Sequence, residues 1–271
     1  MSKAIVEDAL TCLSVEVPNL QDITVNRVCL GWGYVGVQLS TRDVGLCHSL
    51  IGETQLECCQ VLQQAGTLGG ALATKLGLLA KSWDHSERVI GVATINAMSQ
   101  IVLKKKQTQY SVIEANMLDC VDIRPSENVV MVGNIKPLVP AIRNRTTRLR
   151  IFERGGSLDD GVLPDTATEE LIPEADIVFI TGSAIANGTI GRLLELAAKA
   201  RTVIVVGPSA SMIPDPLFRR GVDLIGGVIV TDPDKAMQVV AEGGGTPQLK
   251  SATKFVTIRP RSASNFHSNS A

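Results

Sequence analysis

DIVFITGSAIANGTIGRLLEL (Asp176–Leu196) contains three kinds of sequence in succession. Asp176–Ile180 is a short apolar, β-branched run of the kind that forms a strand covered on both faces. Ile190–Ala200 carries its apolar residues at helical spacing. Between them, Thr181–Thr189 holds glycine, hydroxyl and amide residues and no charged group. A strand running through a small polar loop into a helix is the repeating unit of a parallel sheet, because parallel neighbours need a helical crossover.

The same order recurs from Val121 onward. Asn128–Val132 ends in Gly133 and leads to a helical pattern at Leu138–Asn144. Leu149–Phe152 ends in Glu153, and Thr202–Val206 ends in Gly207-Pro208-Ser209. Val222–Val230 holds a further strand, and Asp232-Pro233 opens a last helix that Gly243-Gly244-Gly245 closes. Residues 126–250 are therefore expected to form an α/β, Rossmann-like domain with a parallel sheet.

The first 105 residues read differently. An opening helical pattern precedes VNRVCLGWGYVGVQLS (Val25–Ser40), where Gly31-Trp32-Gly33 supplies a hairpin turn. Val35, Val37 and Leu39 alternate with Tyr34, Gly36, Gln38 and Ser40, the period of a half-buried strand. Asp43–Leu50 completes an antiparallel meander, and helical patterns follow at Glu53–Ala65, Leu68–Lys81 and Ser86–Leu103, the last with Ser86 as its cap. This predicts a small α+β domain over 1–105, a linker over 106–125 and a tail over 251–271 that is disordered at its polar end.

Composition narrows the function classes. With 26 Lys and Arg against 27 Asp and Glu the net charge is −1, which argues against nucleic acid as a partner. No apolar run approaches the roughly 20 residues of a membrane span. Six scattered cysteines without a CxxC pair read as reduced thiols, so the chain is expected to be cytoplasmic, and its size and class suit a homodimer.

Ligands of open parallel sheets bind beyond the carboxyl ends of the strands. Those ends here are Gly133-Asn134, Glu153, Thr181-Gly182-Ser183 and Gly207-Pro208-Ser209, all small or polar. Glu153 follows Gly133 by 20 residues, the separation at which an acid meets a ribose hydroxyl in dinucleotide folds. The intervening loop is GNIKPLVP, however, with one glycine and two prolines where a pyrophosphate would need glycines. NAD is not favoured; a smaller nucleoside-like or heterocyclic ligand fits better.

Asn96 lies on a largely apolar helical stripe with Val89, Val92, Ala93 and Ala97, so its amide should point inward, to clamp a backbone or to reach a cleft. Cys47-His48, Cys58-Cys59 and Asp84-His85 lack the spacing of a preformed metal site. The serines lack a GxSxG elbow, so a hydrolytic triad is not expected.

SERVIGVATINAMSQ, NVVMVGNIKPLV, LIPEADIVFITGSAIANGTIGRLLEL, VIVVGPSASMIPDPLFRRGVDLIGGVIV and the closing EGGG, in this order, resemble the two-domain bacterial and archaeal family named for heavy-metal chelation. The resemblance covers about residues 5–250. It implies that the first domain is like the amino-terminal domain of enolase, with an active-site cleft between the domains. By position, it places Asn96, Gly133, Asn134, Glu153, Thr181, Gly182, Asn187, Gly207, Pro208 and Ser209 at that cleft. Cys47-His48 departs from the family's small or hydroxyl residues, so no family role carries over to that pair.

The resulting expectation is an enzyme that holds a small polar or heterocyclic ligand (pterin-, flavin- or nucleoside-like) in the interdomain cleft. Glu153 and Asn96 are its candidate catalytic groups, with Ser183 added to the ligand-binding set. The alternative is a non-catalytic protein that binds a metal or a metal chelate.

Overall fold

The computed structural model describes residues 2–52, 62–105, 110–155 and 161–261. Helix α1 (Ser2–Glu16) leads into a three-stranded antiparallel meander of β1 (Val25–Leu30), β2 (Tyr34–Leu39) and β3 (Val44–His48). The short α2 (Ala73–Gly77) and the long α3 (His85–Leu103) follow. Asp84, not Ser86, caps α3: its side chain accepts the Glu87 N–H at 3.0 Å, while Ser86 lies inside the helix. The Glu53–Ala65 pattern falls largely outside the described residues.

The Leu68–Lys81 pattern is helical only from Ala73. Gly70, at φ 81°, turns the chain so that Val25 exchanges hydrogen bonds with Gly70 and Ala71. Backbone pairing with β1 thus takes precedence over the helical period.

The second sheet has eight strands among the described residues. In chain order the elements are β4 (Tyr110–Ile113), β5 (Val129–Val132), α4 (Val139–Arg143), β6 (Leu149–Glu153), β7 (Val162–Pro164), α5 (Thr168–Leu171) and β8 (Ile177–Thr181). They continue through α6 (Ser183–Ala186), α7 (Ile190–Leu196), β9 (Thr202–Val206), α8 (Asp215–Phe218), β10 (Leu224–Val230), α9 (Pro233–Ala241), α10 (Thr246–Leu249) and β11 (Thr253–Pro260).

The spatial order is β4-β11-β10-β9-β8-β5-β6-β7. The strands from β7 to β10 are parallel, and β11 and β4 add antiparallel pairs at one edge. Read from β7 to β10, the six parallel strands run 3-2-1-4-5-6, the doubly wound order whose switch point lies between β5 and β8.

Two of these strands correct the expected boundaries. The proposed linker contains β4, and the proposed tail contains β11, whose Val256 and Ile258 are buried while its backbone pairs with both β10 and β4. The three-residue β7 was not anticipated, being too short to show a period.

Alternation divides the sheet between two cores. Val130, Val132, Phe152, Val178, Ile180, Val203 and Val205 face one side, and Val129, Met131, Ile151, Ile177, Phe179 and Ile204 face the other. In the meander, Val35, Val37 and Leu39 enter the first of these cores. β2 is nevertheless buried on both faces, because α9 covers the other one and places Met237 and Val240 against Tyr34 and Gly36. The expected half-buried strand is corrected for that reason.

α3 joins the two sheets. β3 crosses it so closely that a β-carbon on Gly45 would come within 2.1 Å of the Ala93 carbonyl oxygen. Its buried polar side chains bond backbone groups of the second half of the chain. Ser99 Oγ accepts the Ile213 N–H at 2.8 Å. β9 reaches only to Gly226 along β10, and Gln100 bonds the strand beyond that point: its amide donates to the Val228 carbonyl (3.1 Å) and accepts the Val230 N–H (2.9 Å).

Replacing Gln100 with Leu leaves both backbone groups unpaired in the interior. The expected cost is about 3 kcal/mol and a fall in Tm of several degrees, read by calorimetry. A change within about 0.5 kcal/mol, the size of an ordinary surface substitution, would show that those groups find other partners.

Candidate functional site

The carboxyl ends of the parallel strands open into a cleft of about 1300 Å³. That exceeds the roughly 300–1,000 Å³ of a common small-ligand site. Gly133, Asn134, Glu153, Thr181, Gly182, Ser183, Asn187, Gly207, Pro208 and Ser209 all line it, so the structure brings the nine expected ligand-binding residues and the candidate catalytic Glu153 to one cleft.

Each is there for a local reason. Gly133 ends β5 at φ 86°, and a β-carbon there would meet Thr181 Cγ2 at 2.6 Å, so only glycine lets β5 and β8 close together at the switch point. Glu153 ends the neighbouring β6. Its Oε2 accepts the Asn134 N–H at 2.8 Å and its Oε1 accepts the Arg154 N–H at 3.0 Å, which fixes the half-buried carboxylate beside Gly133.

The Thr181–Thr189 segment is not one open loop. Thr181 closes β8, Ser183–Ala186 form the single turn α6, and Gly188 at φ 80° leads into α7. Thr181, Gly182, Ser183, Ala184, Asn187 and Thr189 line the cleft, while Ile185 and Ala186 belong to the core that includes α3. Asn187 Oδ1 accepts the Thr189 hydroxyl at 2.8 Å, and Ser2 Oγ donates to the Gly188 carbonyl at 2.7 Å. The segment is small because it fits between a helix and a cleft, and polar where it meets the cleft.

Asn96 takes the clamping role rather than the cleft-facing one. It is fully buried and does not line the cleft. Its amide nitrogen donates to the Leu46 carbonyl (2.8 Å) and the Ser209 carbonyl (3.1 Å), binding β3 to the turn that carries Pro208 and Ser209. Any contact of Asn96 with a cleft ligand therefore runs through that turn. Ser209 Oγ also accepts the His48 N–H at 2.9 Å.

Several cleft residues stand outside the expected ligand set, because they arrive from the other half of the chain or from short helices. Tyr34 and His48 face each other across β2 and β3, ring edge to ring face, with centroids 5.8 Å apart. Thr246 and Lys250 come from α10 and its end, and Arg192 from α7. Arg192 is held in charge balance at the rim by Glu169 and Glu195, and Arg154 by Asp165 at 2.7 Å.

The metal candidates separate. Cys47 and His48 are adjacent on a strand and so point to opposite faces. Cys47 is fully buried, whereas His48 is exposed to the cleft. Burial pushes the Cys47 thiol up to about 12, against partial relief from a hydrogen bond with Ser209. A neutral thiol is a poor metal ligand. Cys58, Cys59 and His267 lie outside the described residues. Among the described residues, no three His, Cys, Asp or Glu side chains group as metal ligands, so the donor set does not fit a metal held by side chains alone.

Two family models match the chain, both described as "Putative heavy-metal chelation": DUF364 over residues 116–259 and DUF4213 over residues 16–99. The chain belongs to this family. An uncharacterized protein of Methanocaldococcus jannaschii is 33% identical over 186 residues, which cover 66% of this chain and 69% of that relative. Among solved structures, a DUF364-family protein of unknown function from Pyrococcus horikoshii superposes with a TM-score of 0.81. It is 22% identical and covers 96% of this chain and 100% of its own, a likeness of fold. A second DUF364-family protein of unknown function, from Desulfitobacterium hafniense DCB-2, gives a TM-score of 0.76 at 25% identity, covering 93% of this chain and 98% of its own. The small antiparallel sheet followed by a mostly parallel α/β sheet is thus the architecture of the DUF364 structures.

Cys47 makes the fold sensitive to alkali. The unfolded thiol ionises near its ordinary 9.0, while the folded thiol stays protonated to about 12. Its contribution to stability is therefore complete below pH 9 and is lost as pH rises from 9 toward 12, at up to about 1.4 kcal/mol per pH unit. Urea unfolding of wild type and Cys47→Ala across that range should show a shallower decline in the variant. Parallel declines would mean that the thiol does not contribute.

Proposed function

We propose that the protein is an enzyme whose cleft binds a small ligand built on a heterocycle or nucleoside, with Glu153 as its principal hydrogen-bond acceptor. One observation carries this reading. The Glu153 carboxylate lines the cleft and is oriented by two backbone N–H groups at the end of the second strand of a doubly wound sheet, one to each oxygen, so that each oxygen has a further lone pair with which to accept. A ligand hydroxyl pair or ring N–H is the complementary donor. In an enzyme the same carboxylate serves as general base toward that donor.

A full dinucleotide suits the site less well. α4, which follows Gly133, is five residues long with Pro140 in its first turn, so it offers little of the N–H array that holds a pyrophosphate. The heavy-metal association in the family description is accommodated best when the metal is a property of the ligand, as in a chelating metabolite. The described side chains offer hydrogen bonds rather than a coordination sphere. On this reading the two halves of the chain act as two domains, divided between α3 and β4, with the ligand between them.

The test is a thermal-shift screen of the full chain against adenosine, nucleotides, pterins, flavins, S-adenosyl compounds and divalent metals in separate wells. A ligand at 100 times its Kd stabilises by about 2.7 kcal/mol. A shift with a heterocycle or nucleoside that falls at least tenfold in affinity with Glu153→Gln supports the proposal. Shifts with Cu, Zn or Ni alone would overturn it in favour of the metal-binding alternative, and a heterocycle that binds Glu153→Gln equally well would overturn the role given to Glu153.

A further inference from the structure

Asn187 lines the cleft from the turn between α6 and α7, and the two ends of its amide are used unevenly. Its Oδ1 accepts both the Thr189 N–H at 3.2 Å and the Thr189 hydroxyl at 2.8 Å. A backbone N–H can only donate, so the atom it meets must be the amide oxygen, and the orientation of the side chain is settled. Both lone pairs of Oδ1 are then occupied. Among the described residues, nothing accepts from Nδ2. Half-buried at the cleft, Asn187 is left with two N–H donors and no acceptor to offer.

The turn that presents this amide is held by residues that do not line the cleft. Thr189 stands at the cap position of α7 but makes no side-chain cap, because its hydroxyl is spent on Asn187. Ser2, at the start of α1, takes over that role. Its Oγ accepts the Gly191 N–H at 3.2 Å and donates to the Gly188 carbonyl at 2.7 Å. Arg88 of α3 packs against the same turn: a β-carbon on Gly188 would lie 2.6 Å from its Nη1, and its Nε is anchored on the Ser82 carbonyl at 2.7 Å. Two helices of the first half of the chain thus fix a turn of the second.

We infer that Asn187 is a specificity-determining residue of the cleft, donating from Nδ2 to a carbonyl oxygen or an unprotonated ring nitrogen of the ligand. Ser2 is its positioning residue. The inference rests on the reading that the cleft binds a small ligand, and it adds a second requirement on that ligand's chemistry. The ligand carries a donor for Glu153 and an acceptor for Asn187; one that offers donors alone would leave Asn187 unpaired. Were Asn187 there only to shape the turn, aspartate would serve as well, since it retains the oxygen that Thr189 bonds.

N-methyl-2-pyridone is the probe, because it carries a carbonyl oxygen and no N–H or O–H, and so gives Glu153 nothing to accept. Titrated into the full chain, it should produce saturable shifts in the side-chain NH2 signals of Asn187. Asn187→Asp keeps the turn and replaces the donor with an acceptor. It should bind the probe about tenfold more weakly, with amide exchange at Gly191 as in the wild type. Ser2→Ala should speed exchange at Gly191 and weaken probe binding, and Ser2→Thr should restore both.

The probe reports on Asn187 whether or not a heterocycle binds Glu153, so the two readings fail separately. No saturable shift at Asn187, or equal affinity in Asn187→Asp, would overturn the proposal.

Discussion

Hydrogen bonds from buried side chains of α3 join the two sheets, although Asn96 Oδ1 itself has no partner among the described residues. Asn96, Ser99 and Gln100 are each almost completely removed from water. Between them they bond the Leu46, Ser209 and Val228 carbonyls and the Ile213 and Val230 N–H groups. Leu46 belongs to the meander; the others belong to β10 and the loop after β9. An apolar helix of the same length would bury comparable area and tolerate sliding. Hydrogen bonds at these distances tolerate little, because a displaced amide loses its own partner and strands a backbone group as well.

The geometry of the cleft follows from that joint. The strand ends from β6 to β10 line the cleft, as does the Tyr34–His48 edge of the meander, and α3 packs against the meander, α6 and the Pro208-Ser209 turn. Asn96 reaches Leu46 and Ser209 with one nitrogen, so the Pro208-Ser209 turn and β3 share a single anchor. Ser209 in turn receives the His48 N–H. The strand ends and the Tyr34–His48 edge thereby line one cleft.

The parallel sheet was legible because each strand is a β-branched run closed by a small residue, and Thr202–Val206 matches β9 residue for residue. The nine strand-end residues were legible for the same reason, because topology alone sends them to one edge, whereas Asn187 was legible only through the family resemblance. What escaped were features decided by distant partners. β4 and β11 read as linker and tail because β4 pairs, among the described residues, only with β11, and β11 is held between β4 and β10 rather than by a pattern of its own. The two-sided burial of β2 depends on α9, about 200 residues away in sequence. Asn96 announced itself as a buried amide, but only its partners decide between a clamp and a ligand contact. Tyr34, His48, Thr246 and Lys250 meet only in three dimensions, and nothing in their spacing marks them.

The far edge of the large sheet has a temporal meaning. β4 comes early in the chain, at 110–113, yet its partner β11 lies at 253–260, and β11 is also what covers the open side of β10. A ribosome emitting this chain releases the meander, α3 and six parallel strands before the segment that seals them. Until then β4 has no neighbour and β10 presents a bare row of backbone groups, the kind of edge that invites pairing between nascent chains. The last strand is thus the closing step of assembly, and the interval before it emerges is when the protein is most exposed to error.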